Sequence, residues 1–370
     1  MLTFLLACSV LAEPTPSRLP ELVDHVVVAP ADLSAGYRAG TIAWLERGIG
    51  EADFQTGTPL FDQEWLYGLT MMGAAGFGQH ALNHPEDRAE DLRQMERAID
   101  RMLAEDTRAF DARAWGADPI ASLGDDRGHA AWLGYTGIAL GLHRVLDPDS
   151  RYQALHEAVI DAIERRVAVA PDHLVETYPG EWYPVDNAAM VGSLGLHTRA
   201  TGVSHPMVAA WVGSARARWV QDGLLIQSVR DGRAADHPRG SGTFLASWFL
   251  HHADPVFAAA LYEAGRDTLG GSMFGVRAMR EYPPRVDGRG DIDSGPIVMG
   301  FGVSSTGFAI GAALQNGDRG TAEALAGTAT TMSGLILGMD PSLRGPDNPG
   351  SGSGSHLGDA ILFAMTASGP

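Results

Sequence analysis

An all-α fold of repeated helical hairpins is what this sequence predicts, and three observations predict it. Segments rich in Gly and Ala, apolar throughout, recur along the chain behind loops rich in Gly, Pro and Asp. Between them lie charged segments whose apolar residues fall at helical spacing. The pair then repeats, with apolar starts roughly 54 to 66 residues apart, and a long internal period marks one supersecondary unit used again. A helix apolar all round is buried, and a helix with one charged face is peripheral. Six buried helices ringed by outer ones make an (α/α)6 toroid, with short β-hairpin or loop excursions at one mouth.

The elements follow in order. Tyr37 to Arg47 is a short helix. Asp62 to Leu82 is the first apolar one, led by Asp62 and ended by Asn83-His84-Pro85. Glu86 to Ala104 carries charge on one face and Leu92, Met95, Ile99 and Leu103 on the other. His129 to Leu146 is apolar, and Ser150 to Val169 is its charged partner. Asn187 to Ala200 pairs with Ser204 to Val220, Ser241 to His252 with Val256 to Leu269, and Pro296 to Leu314 with Arg319 to Leu337. Ser355 to Thr366 is the last apolar segment, and the Tyr37 helix can supply the outer partner it lacks. Gly223 to Gly240 and Gly275 to Gly290 break the rhythm and read as hairpins or loops over one mouth. The division expected is residues 1–34 as leader and tether, and residues 35–370 as one domain.

The chain has 370 residues, of which 45% are hydrophobic, ample for a large core. Its formal charge is -18 with no basic run, which argues against nucleic acid and anionic membrane surfaces as partners. Its one cysteine, Cys8, can build neither a disulfide framework nor a cysteine metal site. Met1 to Ala12 is a short apolar run, far below the roughly 20 residues that span a bilayer. Leu5-Leu6-Ala7-Cys8 resembles the bacterial lipobox, which would lipidate Cys8 and give the one membrane attachment expected. Val10-Leu11-Ala12 resembles an ordinary signal-peptidase site instead. Either reading makes the protein exported, periplasmic or in the cell envelope. Glu13 to Pro20 is Pro-rich and suits a tether.

In such a toroid the N-termini of the inner helices open at one mouth, so the residues that lead into them converge. Two lead-in loops stand out. One is Tyr178-Pro-Gly-Glu181-Trp182-Tyr183-Pro-Val-Asp186-Asn187; the other is Asp291-Ile-Asp293-Ser-Gly-Pro296. Around them the other starts bring Glu64, Trp65, Tyr67, His129, Arg239, Ser241, Ser355 and His356. Carboxylates beside aromatic platforms suit a sugar, whose faces are apolar and whose rim is hydroxylated. Glycoside hydrolysis needs one protonated carboxyl group and one ionised partner. Asp186 with Asp291 or Asp293 is the expected pair, and Glu181 is a further catalytic candidate. His129, Tyr178, Trp182, Tyr183, Asn187, Arg239, Trp65 and His356 are the expected substrate contacts. An Asp before a helix also serves as an N-cap, and Asp186 and Asp293 carry that reading too.

No dinucleotide fingerprint, Walker loop, His-Glu-x-x-His or Gly-x-Ser-x-Gly elbow is present. Asp291-x-Asp293 falls far short of an oxygen cage. No cofactor and no metal is expected. The repeated hairpins, over roughly Ala35 to Ser368, resemble the six-hairpin (α/α)6 toroid superfamily. The Tyr178 to Asn187 and Asp291 to Pro296 runs look closest to its linalool dehydratase/isomerase-like members or to relatives of those. The resemblance implies an exported carbohydrate-active enzyme, most simply a glycoside hydrolase acting on a small-molecule or oligosaccharide substrate. It also admits a lyase or isomerase acting on a small alcohol or terpenoid, and a non-catalytic envelope protein that binds or scaffolds.

Overall fold

Glycine and alanine rows let helices approach until backbone meets backbone, and that approach organises this chain. A computed structural model describes residues 33–54, 56–273, 275–290, 294–339, 353 and 355–370. Cys8, the leader, most of the tether segment, Asp291 and Asp293 lie outside the described residues. The structure is mostly helical with small antiparallel hairpins. We number the helices α1 (Ala35–Arg47), α2 (Pro59–Asn83), α3 (Arg88–Met102), α4 (Ala109–Trp115), α5 (Ala130–Leu146), α6 (Gln153–Val169) and α7 (Pro184–Thr201). They continue as α8 (Pro206–Ser214), α9 (Gly240–Leu250), α10 (Pro255–Leu269), α11 (Val303–Gln315), α12 (Arg319–Met339) and α13 (His356–Thr366). No helix among the described residues is long and apolar enough to cross a membrane.

The six small-residue helices pack in a circuit: α2 on α5, α5 on α7, α7 on α9, α9 on α11, α11 on α13, and α13 back on α2. Neighbours run parallel. Gly134, Gly137 and Gly141 of α5 meet Met190, Ser193 and Leu196 of α7 in the same order. Gly68 and Gly76 of α2 meet Leu357 and Phe363 of α13 likewise. Each outer helix lies on one member of the circuit: α3 on α2, α6 on α5, α8 on α7, α10 on α9, α12 on α11, and α1 on α13. The expected partnership of the first helix with the last apolar one is therefore observed. The core is one large cluster running through the circuit, from Tyr37 and Trp44 to Phe363 and Met365.

Substitution at two glycines separates packing from helix propensity. A Cβ on Gly195 of α7 would stand 2.1 Å from the His252 carbonyl oxygen. One on Gly213 of α8 would meet nothing within 4 Å. Alanine favours a helix over glycine by about 1 kcal/mol, whereas overpacking costs about 1–3 kcal/mol or more. Gly213→Ala is thus expected to raise the midpoint of urea unfolding and Gly195→Ala to lower it. A rise in both would show that α7 and α9 do not touch at this point.

The hairpins are β1–β2 (Val220–Gln221, Leu224–Leu225), β3–β4 (Val229–Arg230, Arg233–Ala234), β5–β6 (Gly270–Met273, Val276–Met279) and β7–β8 (Ile297–Val298, Phe301–Gly302), all antiparallel. The last of them corrects one expected boundary. The fifth apolar helix begins at Val303, not near Pro296, because Ile297 to Gly302 folds as a hairpin. Met299 and Gly300 turn it with φ of 53° and 86°, values outside any helix. Gly302 holds the N-cap position of that helix; Asp293, the expected cap, lies outside the described residues.

The starts of α2 and α13 repeat one design. Thr56 donates its N–H and hydroxyl to Asp62 at 2.8 and 2.6 Å. Ser353 donates its N–H and hydroxyl to Asp359 at 2.8 and 2.7 Å. Both acids lie six residues on, in the first turn of the helix, where a carboxylate complements the dipole. Asp62 and Asp359 thus secure two adjoining helix starts.

Candidate active site

The loop between α6 and α7 is built to present side chains. Gly180, at φ 81°, permits a tight turn in which Glu181 N–H donates to the Tyr178 carbonyl at 2.8 Å and Thr177 N–H to the Glu181 carbonyl at 2.9 Å. Trp182 pairs with Val229, so β3–β4 braces the outer side of the loop. On the inner side the Asn187 amide mimics a strand partner for Val175, accepting from its N–H at 2.8 Å and donating to its carbonyl at 3.0 Å. Asn187 is fully buried, and these bonds make it the clamp of the loop.

Pro184 takes the first helical position of α7 and Tyr183 the N-cap. Asp186 is the third residue of the helix, and its carboxylate does not cap it. Tyr135 of α5 donates its phenol to Asp186 Oδ1 at 2.6 Å, and Thr177 donates its hydroxyl to Oδ2 at 2.8 Å. Only 7% of Asp186 is exposed. Burial pushes its carboxyl up to about 6, against the pull of the two hydroxyl donors. The adjoining Tyr178 donates its phenol to Glu64 Oε1 on α2 at 2.7 Å. Consecutive residues, Thr177 and Tyr178, therefore hold two carboxylates from two different helices. Burial first, then neighbouring carboxylates, pushes the Tyr178 phenol well above its ordinary range, so it stays a donor. Burial does the same for Tyr67, which donates to the Trp132 carbonyl at 3.0 Å below the Tyr135 ring.

The structure thus gathers Tyr178, Glu181, Trp182 and Tyr183 on one loop, with Asp186 in the first turn of the helix it leads into. Glu181 is half-exposed and accepts from Tyr183 at 3.2 Å and from Arg230 at 3.2 Å. Trp65, Trp182 and Tyr183 are partly buried and pack against the core. His129 precedes α5 and lies 2.5 Å from Asp111 Oδ2. Arg239 is buried, pairs with Asp236 at 3.0 Å and sits over the Tyr282 ring at 5.3 Å. His356 sits elsewhere, edge-on to Trp44 at 3.8 Å and near Phe54 at 5.8 Å, with burial lowering its pKa.

Sequence reasoning passed over Tyr135, Thr177 and Asp111, and also Glu281. Glu281 is fully buried and accepts from the Ser241 hydroxyl at 2.5 Å. Tyr135 had a signal: it stands six residues after His129, one and a half turns into an apolar helix where a phenol needs a partner. Among the described residues no group of three or more His, Cys, Asp or Glu side chains could hold a metal ion. No protein family model matches the chain, and no curated protein matches it.

Proposed function

We propose that this chain is an exported carbohydrate-active enzyme, most simply a glycoside hydrolase, on an (α/α)6 toroid of the six-hairpin kind. The closed circuit of six parallel helices, each with an outer partner, supports the architecture. The observation that carries the activity is Asp186: a buried acid pushed up to about 6 and held between the Tyr135 and Thr177 hydroxyls. Such an acid is protonated in a useful fraction near neutral pH and can protonate a leaving glycosidic oxygen. The sugar ring then carries positive charge. Glu64, beside the same loop, is the carboxylate placed to stabilise it. Asp291 and Asp293, between Gly290 and Ser294, stand in the proposal as further acids of the site. Trp182, Tyr183 and Trp65 offer the stacking faces.

The test is a panel of neutral and acidic oligosaccharides, read by release of reducing ends. Turnover of at least one glycan, lost in Asp186→Asn and in Glu64→Gln, is the expected result. Turnover undiminished in Asp186→Asn would remove that residue from the mechanism. Absence of turnover, together with absence of any ligand-induced rise in melting temperature across the panel, would remove the carbohydrate reading itself.

A further inference from the structure

One pair of side chains, tied to the loop that leads into Asp186, is built in a way that stability does not explain. His129 holds φ at 60°, a left-handed conformation that strains a residue other than glycine and that clusters at functional sites. Its Nδ1 lies 2.5 Å from Asp111 Oδ2 on α4, and the two side chains are only 3% and 0% exposed. Asp111 Oδ1 is sealed from solvent with no hydrogen-bond partner among the described residues. A half-satisfied buried carboxylate is destabilising, and an apolar pair of similar volume would avoid that cost. His129 Nε2 differs from Oδ1. It has no hydrogen bond to the described residues, yet it is not among the sealed atoms. It is the open end of the pair.

The pair is fastened to the loop that holds Asp186. The Trp115 ring lies 4.9 Å from the imidazole, and its Nε1 donates to the Thr177 carbonyl at 3.1 Å. Ala130 N–H donates to the Glu176 carbonyl at 3.1 Å. The charged groups that face Asp111 besides His129 are Arg166 of α6 and Asp118. Both proton-handling groups thus depend on the two-residue segment Glu176–Thr177.

We propose that His129 is the base of this site and Asp111 its positioning residue. The proposal rests on the hydrolase reading and completes it. Ionised Asp111 accepts the Nδ1 proton, which fixes the tautomer and leaves the Nε2 lone pair available. As a water oxygen bonds to the anomeric carbon, Nε2 takes a proton from that water. The glycosidic C–O bond breaks, its electrons go to the leaving oxygen, and that oxygen takes the proton of Asp186. The imidazolium afterwards loses its proton to solvent and Asp186 regains one. The net change is water added across the bond, without oxidation or reduction.

The test uses the full chain with His129 labelled in nitrogen-15, and the cleaved glycan from the panel. The neutral imidazole of the free protein is expected to be the Nδ1–H tautomer, and Asp111→Asn is expected to lose that bias. His129→Gln is expected to lower kcat by about 10²–10⁴-fold, with KM within about threefold. Asp111→Asn is expected to lower kcat with KM likewise within about threefold. An Nε2–H tautomer in the free protein overturns the proposal, and so does wild-type kcat in His129→Gln. Where His129→Gln does not fold, the tautomer decides. Loss of turnover in Asp186→Asn with wild-type behaviour in His129→Gln keeps the hydrolase reading and rejects this base. Where no glycan is cleaved, the hydrolase reading fails separately, and the pair stands or falls on its tautomer.

Discussion

Asp186→Asn is expected to lower kcat/KM on the cleaved glycan by about 10²–10⁴-fold, the usual contribution of a positioned acid. The pH dependence identifies the cause. A general acid acts in its protonated form, and burial sets this carboxyl at about 6. Wild-type activity should therefore fall as pH rises through about 6, and the residual activity of Asp186→Asn should lack that limb. Stability carries the same signature. The folded-state pKa lies above the ordinary range of an aspartate carboxyl. The associated stability is fully present below the unfolded pKa and is lost as pH rises through about 6. The shift corresponds to about 3 kcal/mol. Urea unfolding of wild type and Asp186→Asn at pH 4 and pH 7 should show the difference moving toward the wild type at the lower pH. A difference that does not change with pH would mean that the carboxyl titrates alike in both states.

Arg166→Met is expected to destabilise the protein by roughly 3–6 kcal/mol, which is the loss of several hydrogen bonds to buried carbonyls. Arg166 belongs to α6 and is only 1% exposed. Its guanidinium donates to the carbonyls of Asp125 at 3.0 Å and Gly128 at 2.9 Å, and to that of Ser122. Burial pushes it down to about 10, so it remains charged at neutral pH. The methionine fills the volume and leaves the Gly128 carbonyl bare, while those of Ser122 and Asp125 each keep one donor, Asp125 N–H and Arg165 at 3.0 Å. Lysine restores one direction of a three-way fork, so Arg166→Lys should keep most of the loss. Arg165, the neighbour, bonds exposed Asp126 at 2.7 Å and nearby loop carbonyls. Arg165→Met should therefore cost about 1 kcal/mol or less. Chemical denaturation of the three variants compares them directly, and equal losses at Arg165 and Arg166 would contradict the clamp. Because Gly128 adjoins His129, activity should fall further in Arg166→Met than its stability explains.

The helical plan was legible because packing wrote it into composition. A helix that touches neighbours on every side needs Gly and Ala along its faces, as in Gly134, Gly137 and Gly141. Outer helices such as α3 and α6 carry the opposite signal, a charged face. Legibility ended where distant parts of the chain meet. Arg166 looks like surface charge on an amphipathic helix until Ser122 to Gly128 folds over it. Asp111 sits in a seven-residue helix that no period marks. Asp186 read as a cap or a catalytic acid with equal ease. Pro184, two residues before it, held the decisive information, since proline favours the first helical position and so moves the cap back to Tyr183. The fifth apolar helix was placed too early because a two-residue hairpin strand, Ile297–Val298, continues the apolar pattern of the helix that follows.

The circuit has a temporal consequence. Trp44 donates to Asp359 at 3.4 Å, Asn83 to the Ala367 carbonyl at 2.8 Å and Trp248 to Ser368 at 2.8 Å. These bonds join residues 315, 284 and 120 positions apart. The flank of α2 that receives Phe363 stays bare on the ribosome while all the intervening chain is made. Contacts of that range slow folding and expose apolar surface meanwhile. Closure of the circuit therefore waits for α13, and until that helix is made the facing flank of α2 lacks its partner.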